Sequence, residues 1–326
     1  MKLTPVLHIL SILVMPLAGF MAISGLVDLF YSNKNWINFF SSSIVTLFVG
    51  MSVFLATRSN RDQNLDLRQA FILTTMSWLT IATFGALPFY LSNMSLDFTN
   101  SFFESMSGIT TTGSTVIENI EASPPGILVW RALLQWLGGI GVIVMAIAIF
   151  PMLSVGGMQL FKTENFEAPE KVIPRATSLT RGIFFIYSFL TLIWAGLLYF
   201  SGMKLFDAIL HSMTTIATGG FSTKSGSIGA FDSHIIDWII ILGMVFGSLP
   251  FIHYLAFTRG SFNELIKDSQ VRLFLGLLSL IIIIIFFLLL FNNTYEWKDA
   301  LRYSAFNVTS ILTGTGYGTA DFGIWG

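Results

Sequence analysis

The chain contains no cysteine among its 326 residues, and only 11% of its residues are charged. The missing cysteines exclude disulfides, thiolate metal sites and a cysteine nucleophile. The sequence also lacks HExxH and GxSxG motifs, which argues against zinc-protease and serine-hydrolase chemistry. A soluble domain carries roughly 25% charged residues, so this chain has too little charge to coat a water-soluble globule. The net charge of −1 gives no indication for or against nucleic-acid binding. We expect no enzymatic activity, no cofactor and no nucleic-acid partner.

Apolar residues are abundant instead. They make up 54% of the chain, with a mean hydropathy of +0.74 and 32 phenylalanines. A helix needs roughly 20 apolar residues to cross a lipid bilayer, and the first apolar run exceeds the roughly 7–15 residues of a signal-peptide core. The fold class is therefore predicted to be an all-α polytopic membrane protein. The predicted spans are 5–30, 38–57, 68–91, 126–153, 180–201, 233–257 and 271–291.

Three short Thr/Gly runs interrupt this apolar pattern. They read SGITTTGSTV at 107–116, TTIATGGFST at 214–223 and LTGTGYGT at 312–319. Aligned on a shared Thr-Gly pair, their glycines are Gly113, Gly219 and Gly316, at intervals of 106 and 97 residues. A near-constant interval with the same polar core indicates an internal repeat.

Each run follows a semi-apolar segment that is too short to cross a bilayer. Such a segment predicts a re-entrant half-helix followed by extended backbone. The repeating unit is then a span, a short pore helix, a Thr/Gly loop and a second span. The predicted domains are an N-terminal two-helix hairpin at 1–65, pore repeats at 66–160 and 161–258, and a third repeat at 259–326 that lacks its second span.

Lysine and arginine are distributed unevenly between the segments that separate the spans. With the N-terminus in the cytoplasm, eleven lie inside and six outside, an excess that follows the positive-inside rule. All three Thr/Gly runs then enter from the outer face. The inside residues are Lys2, Arg58, Arg61, Arg68, Lys162, Lys171, Arg175, Arg181, Arg259, Lys267 and Arg272, and the outside ones are Lys34, Arg131, Lys204, Lys224, Lys298 and Arg302.

Irregular backbone at membrane depth is tolerated where it is buried in protein or lines a water-filled path. Glycine permits positive φ, so successive carbonyl oxygens can be turned to one side, and a ring of carbonyls can replace the water shell of an alkali cation. The runs 110–115, 218–223 and 313–319 contain no carboxylate, which favours a monovalent cation over Ca²⁺. Each run taken alone is also compatible with an ordinary extracellular turn.

The motifs resemble the Trk/Ktr/HKT superfamily of potassium transporters, and most of all its TrkH-type subunits, which also carry a two-span N-terminal hairpin. The resemblance covers the whole chain. It rests on FFESMSGITTTG at 102–113, Arg131 with QWLGGIG at 135–141, GGMQLF at 156–161, HSMTTIATGGFST at 211–223 and TGYGTADF at 315–322.

The resemblance implies four repeats around a pseudo-fourfold pore, with one selectivity glycine in each loop. Carried onto this chain, the glycines are Gly113, Gly219 and Gly316, and the potassium ligands are the carbonyls of Thr111, Thr112, Ala217, Thr218, Gly314 and Thr315. It also implies channel-like potassium uptake by a homodimer in the cytoplasmic (inner) membrane. A cytoplasmic, nucleotide-binding TrkA-like ring would gate it.

At the observed spacing, a fourth loop is expected about 100 residues after Gly316. We therefore expect the chain to be a C-terminally truncated form of a longer protein. Two other functions stay open. One is a symporter that couples K⁺ or Na⁺ to protons by alternating access, with His211 and His253 as proton-relay groups. The other is a non-conducting membrane scaffold, should the chain naturally be this short.

Three further positions have alternative interpretations. Glu104, on the first short helix, would either tie down the loop through backbone amides or attract cations at the pore mouth. Arg131 would either pair with Glu104 or Glu118 near the mouth, or extend to the membrane interface. Gly138, with Gly139 and Gly141, is predicted to let helices pack closely.

Overall fold

The computed structural model describes residues 3–58, 66–153, 172–258, 260 and 264–325. The predicted motif at 156–161 lies outside these residues, as do Lys2, Arg61, Lys162, Lys171 and Arg259 of the orientation argument. Each predicted domain boundary, at 65/66, 160/161 and 258/259, also touches a residue outside them. The domain boundaries and the orientation therefore stay predictions.

The described residues form helices joined by turns, with no strand among them, which confirms the all-α class. The helices are α1 (Thr4–Phe30), α2 (Trp36–Thr57), α3 (Leu67–Gly85), α4 (Leu87–Leu91), α5 (Phe98–Ile109), α6 (Pro125–Leu153), α7 (Val172–Phe200), α8 (Leu205–Ile216), α9 (His234–Ser248), α10 (Phe251–Thr258), α11 (Glu264–Lys267), α12 (Ser269–Phe291) and α13 (Trp297–Leu312).

Among the described helices, five segments are long and apolar enough to cross a membrane: Thr4–Phe30, Trp36–Thr57, Arg68–Leu91, Leu179–Phe200 and Ser269–Phe291. They match the predicted spans 5–30, 38–57, 68–91, 180–201 and 271–291. The predicted span 126–153 corresponds to α6, a 29-residue helix. The chain is therefore a multi-pass membrane protein.

The sixth predicted span, 233–257, is not one straight helix. Helices α9 and α10 are bent by 89° at a short break. Leu249 has extended backbone (φ −78°, ψ 148°) and Pro250 follows it. Proline disfavours a helical conformation in the residue before it, so the break is local in origin. Hydropathy does not detect it, because both halves are apolar.

The chain divides into two compact units, the first comprising Met1–Thr110 and Ser114–Phe161, and the second Thr111–Gly113 and Lys162–Gly326. In the first unit α1 packs along α2, and it also contacts α3 and α6. The short helix α5 packs against both α3 and α6. In the second unit α8 packs against α7 and α9, and α13 packs against α9 and α12.

A buried carboxylate joins the N-terminal hairpin to the start of α6. Asp28 is fully buried, and its Oδ1 accepts a 2.6 Å hydrogen bond from the backbone N–H of Gly126. Its Oδ2 accepts from Asn35 Nδ2 at 3.0 Å. A negative charge at a helix N-terminus is favourable because the first N–H groups have no partner within the helix. The hairpin is thus attached to the helix that follows the first Thr/Gly run.

We expect Asp28→Asn to destabilise the purified protein by about 1 kcal/mol, because a charge-assisted hydrogen bond becomes a neutral one. Thermal unfolding in detergent measures this. Asp97→Asn is the matched control: Asp97 accepts from Asn100 N at the exposed start of α5, where asparagine caps a helix as well as aspartate does. Equal melting temperatures for the two variants would contradict a special role for Asp28.

Candidate functional site: three Thr/Gly loops

Each Thr/Gly run starts in the last turn of a short helix, namely α5, α8 or α13, and continues beyond its end. The second and fourth residues beyond the end of each helix have positive φ, in a pattern shared by all three loops. The φ values are 56° at Thr111 and 80° at Gly113, 49° at Thr218 and 80° at Gly220, and 75° at Gly314 and 84° at Gly316. Alternating left-handed and ordinary residues turn successive peptide groups toward the same side of the chain.

The shared φ pattern corrects the alignment of the second loop by one residue. Gly220, four residues past Ile216, is equivalent to Gly113 and Gly316, whereas the sequence alignment chose Gly219. Thr218 and Gly219 then correspond to Thr111–Thr112. Two consecutive glycines follow Thr218, so the sequence alone does not show which of them is equivalent to Gly113. Counting from Ile109 and Ile216, which end the two apolar segments, is the sequence signal that would have found the correct register.

The three loops come together at their glycines, and Thr111–Gly113 belongs to the second unit with the other two loops. A Cβ placed on Gly113 would collide with the carbonyl oxygen of Gly219 and lie 3.5 Å from that of Thr315. A Cβ on Gly220 would collide with the carbonyl oxygen of Thr315. Each of these glycines therefore lies against a backbone carbonyl of a neighbouring loop, and any side chain would disrupt the packing.

The remaining predicted ligands occupy varied surroundings. Thr112, Gly314 and Gly316 are exposed, and a Cβ on either of these glycines would meet no described atom within 4 Å. Thr315 is fully buried. Ala217 is the C-cap of α8, and its carbonyl accepts from Thr218 Oγ1 at 2.8 Å. Ala217 thus sits one residue before the segment equivalent to Thr111–Thr112, so Gly219 replaces it in the structurally aligned set.

Glu104 and Arg131 form a buried ion pair behind the first loop. Arg131 Nε donates to Glu104 Oε1 at 2.7 Å, and the two side chains are 2% and 0% exposed. The same carboxylate accepts from Thr115 Oγ1 at 3.0 Å and from the backbone N–H of Val116 at 3.1 Å. Of the alternatives for Glu104, the geometry supports tying down the loop. Its charge is buried and paired, so it does not attract cations at the mouth.

The two histidines considered as proton-relay groups lie in separate surroundings. His211 is fully buried in α8, with Nδ1 2.8 Å from the Asp207 carbonyl and Nε2 3.0 Å from Ser222 Oγ. His253 lies in α10, where its Nε2 is 3.2 Å from Asp268 Oδ2. Their described partners do not connect them. Within the described residues, no group of three His, Asp or Glu side chains could hold a metal ion.

Glycines also allow the following helix to approach the end of the short helix. A Cβ on Gly138 of α6 would collide with the carbonyl oxygen of Ile109, the last residue of α5. A Cβ on Gly247 of α9 would lie 2.7 Å from the carbonyl oxygen of Ile216, the last residue of α8. The predicted close packing holds for Gly138. It does not hold for Gly141, where a Cβ would meet nothing within 4 Å among the residues that the structure describes.

Negative potential at these loops comes from backbone dipoles. The three runs contain no carboxylate, and each begins at the C-terminal end of a helix, where the macrodipole places partial negative charge. Helices of membrane-spanning length define a multi-pass membrane protein, and the three Thr/Gly loops lie between them.

The chain belongs to the TrkH family of cation transport proteins, whose family model matches residues 36–326. It is 41% identical over 323 residues to the Trk system potassium uptake protein TrkI of Halomonas elongata, covering 99% of this chain and 65% of that protein. It is 36% identical over 331 residues to TrkH of Escherichia coli K12, covering 100% of this chain and 68% of that protein.

A solved structure agrees with this assignment. The crystal structure of the potassium transporter TrkH from Vibrio parahaemolyticus superposes with a TM-score of 0.91 at 34% identity, covering all of this chain and 68% of that one. The family is one of transport proteins rather than enzymes. The chain therefore spans about two thirds of the length of the relatives it matches, 65% for TrkI and 68% for the other two.

Proposed function

We propose that this protein takes up potassium across the cytoplasmic membrane by channel-like permeation through a filter of backbone carbonyls. The observation that carries the proposal is the packing of Gly113 and Gly220 against carbonyl oxygens of neighbouring loops. Loops held this close, with the same alternating backbone, can present oxygen atoms to an ion that has lost its water shell. The names of the relatives, potassium uptake proteins, support potassium as the cargo.

In this proposal the ion ligands are the carbonyls of Thr111, Thr112, Thr218, Gly219, Gly314 and Thr315, with Ala217 moved to the helix cap. The selectivity glycines are Gly113, Gly220 and Gly316. Gly113 and Gly220 each face a carbonyl of another loop, whereas a Cβ on Gly316 would meet nothing within 4 Å in the described part of the chain. We propose that a fourth loop packs beside Gly316, which would complete a pseudo-fourfold pore of span–pore-helix–loop–span repeats.

The assembly and orientation also belong to this proposal. A homodimer, with the N-terminus of each subunit in the cytoplasm, would be gated by a cytoplasmic nucleotide-binding ring of the TrkA kind. Support comes from the excess of lysine and arginine on the predicted inside and from the relatives' description as parts of a Trk system.

The test is rubidium uptake into proteoliposomes that contain the protein as expressed from its gene, with its native cytoplasmic partner. We expect uptake down a rubidium gradient, with excess external sodium competing weakly. Channel-like permeation needs no proton gradient, so a protonophore is expected to leave the initial rate unchanged. The variant Gly113→Asp is expected to lose uptake, because it places a side chain and a charge against a neighbouring carbonyl.

Each alternative gives a different result. A proton-coupled symporter would require an imposed pH gradient and would stop when a protonophore is added. A non-conducting scaffold would give no uptake even with the partner present. Unchanged uptake and unchanged rubidium-over-sodium preference in Gly113→Asp would overturn the filter assignment.

A further inference from the structure

Three polar side chains occupy the same position in the three short helices. Glu104, His211 and Asn307 each lie five residues before the last residue of their helix, α5, α8 and α13. All three are fully buried. They differ in chemistry, since one is a carboxylate, one an imidazole and one an amide. The shared property is their place relative to the loop.

Each of these side chains contacts the last part of its own loop, six or seven residues after the helix ends. We call this part, which contains Thr115 and Val116, Ser222 or Thr319, the outgoing limb. Glu104 accepts from Thr115 Oγ1 and the Val116 N–H. His211 Nε2 lies 3.0 Å from Ser222 Oγ. Asn307 makes two bonds to Thr319: its Nδ2 donates to Oγ1 at 3.1 Å, and its Oδ1 accepts from the backbone N–H at 3.2 Å. The three helices therefore share one arrangement, in which a buried polar side chain contacts the residues that follow its own loop, although the bonding atoms differ.

We infer that Glu104, His211 and Asn307 are positioning residues for ion selection, each holding the outgoing limb of its own Thr/Gly loop against the helix that precedes it. The helix fixes where the loop begins, and this side chain fixes where it leaves. The glycine and the carbonyls lie between the two attachments. Their spacing is then set by rigid elements rather than by the loop's own flexible backbone.

This inference rests on the proposed function, because the loops can select between ions only if they line a conducting pore. The alternative explanation is purely structural: buried polar groups need hydrogen-bond partners, whatever the loop does. Satisfying a buried group predicts loss of stability when the group is removed, with selectivity unchanged. Positioning predicts a change in the preference between ions of different size, because the cage of carbonyls relaxes once its outer attachment is released.

Asn307 provides the cleanest test, because it is neutral and its removal leaves no buried charge. The variant Asn307→Leu keeps the size of the side chain and removes both bonds to Thr319. Thr309→Val is the matched control: Thr309 is fully buried in the same helix, and its hydroxyl bonds only to the Ala305 carbonyl at 2.6 Å among the contacts that describe it. Both variants lose buried hydrogen bonds, but only Asn307→Leu releases the loop.

The measurement is the ratio of rubidium to sodium uptake in proteoliposomes, taken per amount of folded protein. Losing the two bonds to Thr319 is expected to lower this ratio about tenfold, the factor that corresponds to a typical buried hydrogen bond. Thr309→Val is expected to keep the parental ratio. The same ratio in Asn307→Leu and Thr309→Val would overturn the inference.

A second variant keeps the test decisive if Asn307→Leu does not fold. Thr319→Val removes the hydroxyl partner and leaves Asn307 in place, and it is expected to lower the ratio in the same direction by a smaller factor. An unchanged ratio in Thr319→Val would then overturn the inference. Absence of rubidium uptake in the unmodified protein would contradict the proposed function instead, so the two failures are distinguishable.

Discussion

Gly220→Ser is expected to reduce selective rubidium uptake by at least about a hundredfold, and more than Gly219→Ser does. Gly220 has a φ of 80°, and a Cβ there would collide with the carbonyl oxygen of Thr315. A left-handed backbone costs an L-residue about 1–2 kcal/mol, and the collision adds to that cost by displacing a proposed ligand. Initial rubidium uptake in a strain without other potassium uptake systems measures the effect.

The comparison between adjacent glycines tests the register of the second loop. The backbone pattern makes Gly220 the equivalent of Gly113 and Gly316, so Gly113→Ser is expected to match Gly220→Ser. Membrane abundance of each variant is the necessary control, because a variant that does not reach the membrane also fails to transport. A larger loss in Gly219→Ser than in Gly220→Ser would support the original sequence alignment instead.

Gly138→Val is expected to destabilise the protein by about 3 kcal/mol, at the upper end for overpacking in a protein core. Gly138 lies in α6, and any Cβ there would collide with the carbonyl oxygen at the end of α5. That oxygen belongs to backbone and cannot rotate away, so the helices must separate. Thermal unfolding of the purified protein in detergent measures the change.

Gly141→Val is the control in the same helix. Among the described residues, a Cβ at Gly141 would meet nothing within 4 Å, and valine and glycine have similar helix propensities, so a change within roughly 0.5 kcal/mol is expected. Equal melting temperatures for Gly138→Val and Gly141→Val would contradict the view that position 138 requires glycine because α6 approaches the end of α5.

The apolar pattern predicted most helices well, and the bend that it did not reveal has a local cause. Five predicted spans agree with helices of sufficient length and hydropathy. The span at 233–257 breaks at Leu249–Pro250, where an extended residue precedes a proline. Hydropathy averages over both halves and does not respond to a single backbone constraint. The proline itself was the signal that should have divided the segment.

The roles of Glu104 and Arg131 could not be chosen from the sequence. Twenty-seven positions separate them, and Glu118 was an equally available partner. Packing of α5 against α6 brings the guanidinium to 2.7 Å from the carboxylate. Burial of both groups then makes the pair obligatory, because breaking a buried pair by removing one partner costs about 3–5 kcal/mol.

By itself, the sequence determined that this is a helical membrane protein of the TrkH family with three Thr/Gly loops. Those features depend on local composition, apolar runs and motifs, and each of these can be recognised within one short stretch of the sequence. The tertiary structure decided the register of the second loop, the partner of Glu104 and the shared place of Glu104, His211 and Asn307. These depend on which atoms meet across elements distant in sequence. In the second loop, Gly220 lies against the carbonyl oxygen of Thr315, about 100 residues later in the chain, and this contact leaves space for hydrogen alone.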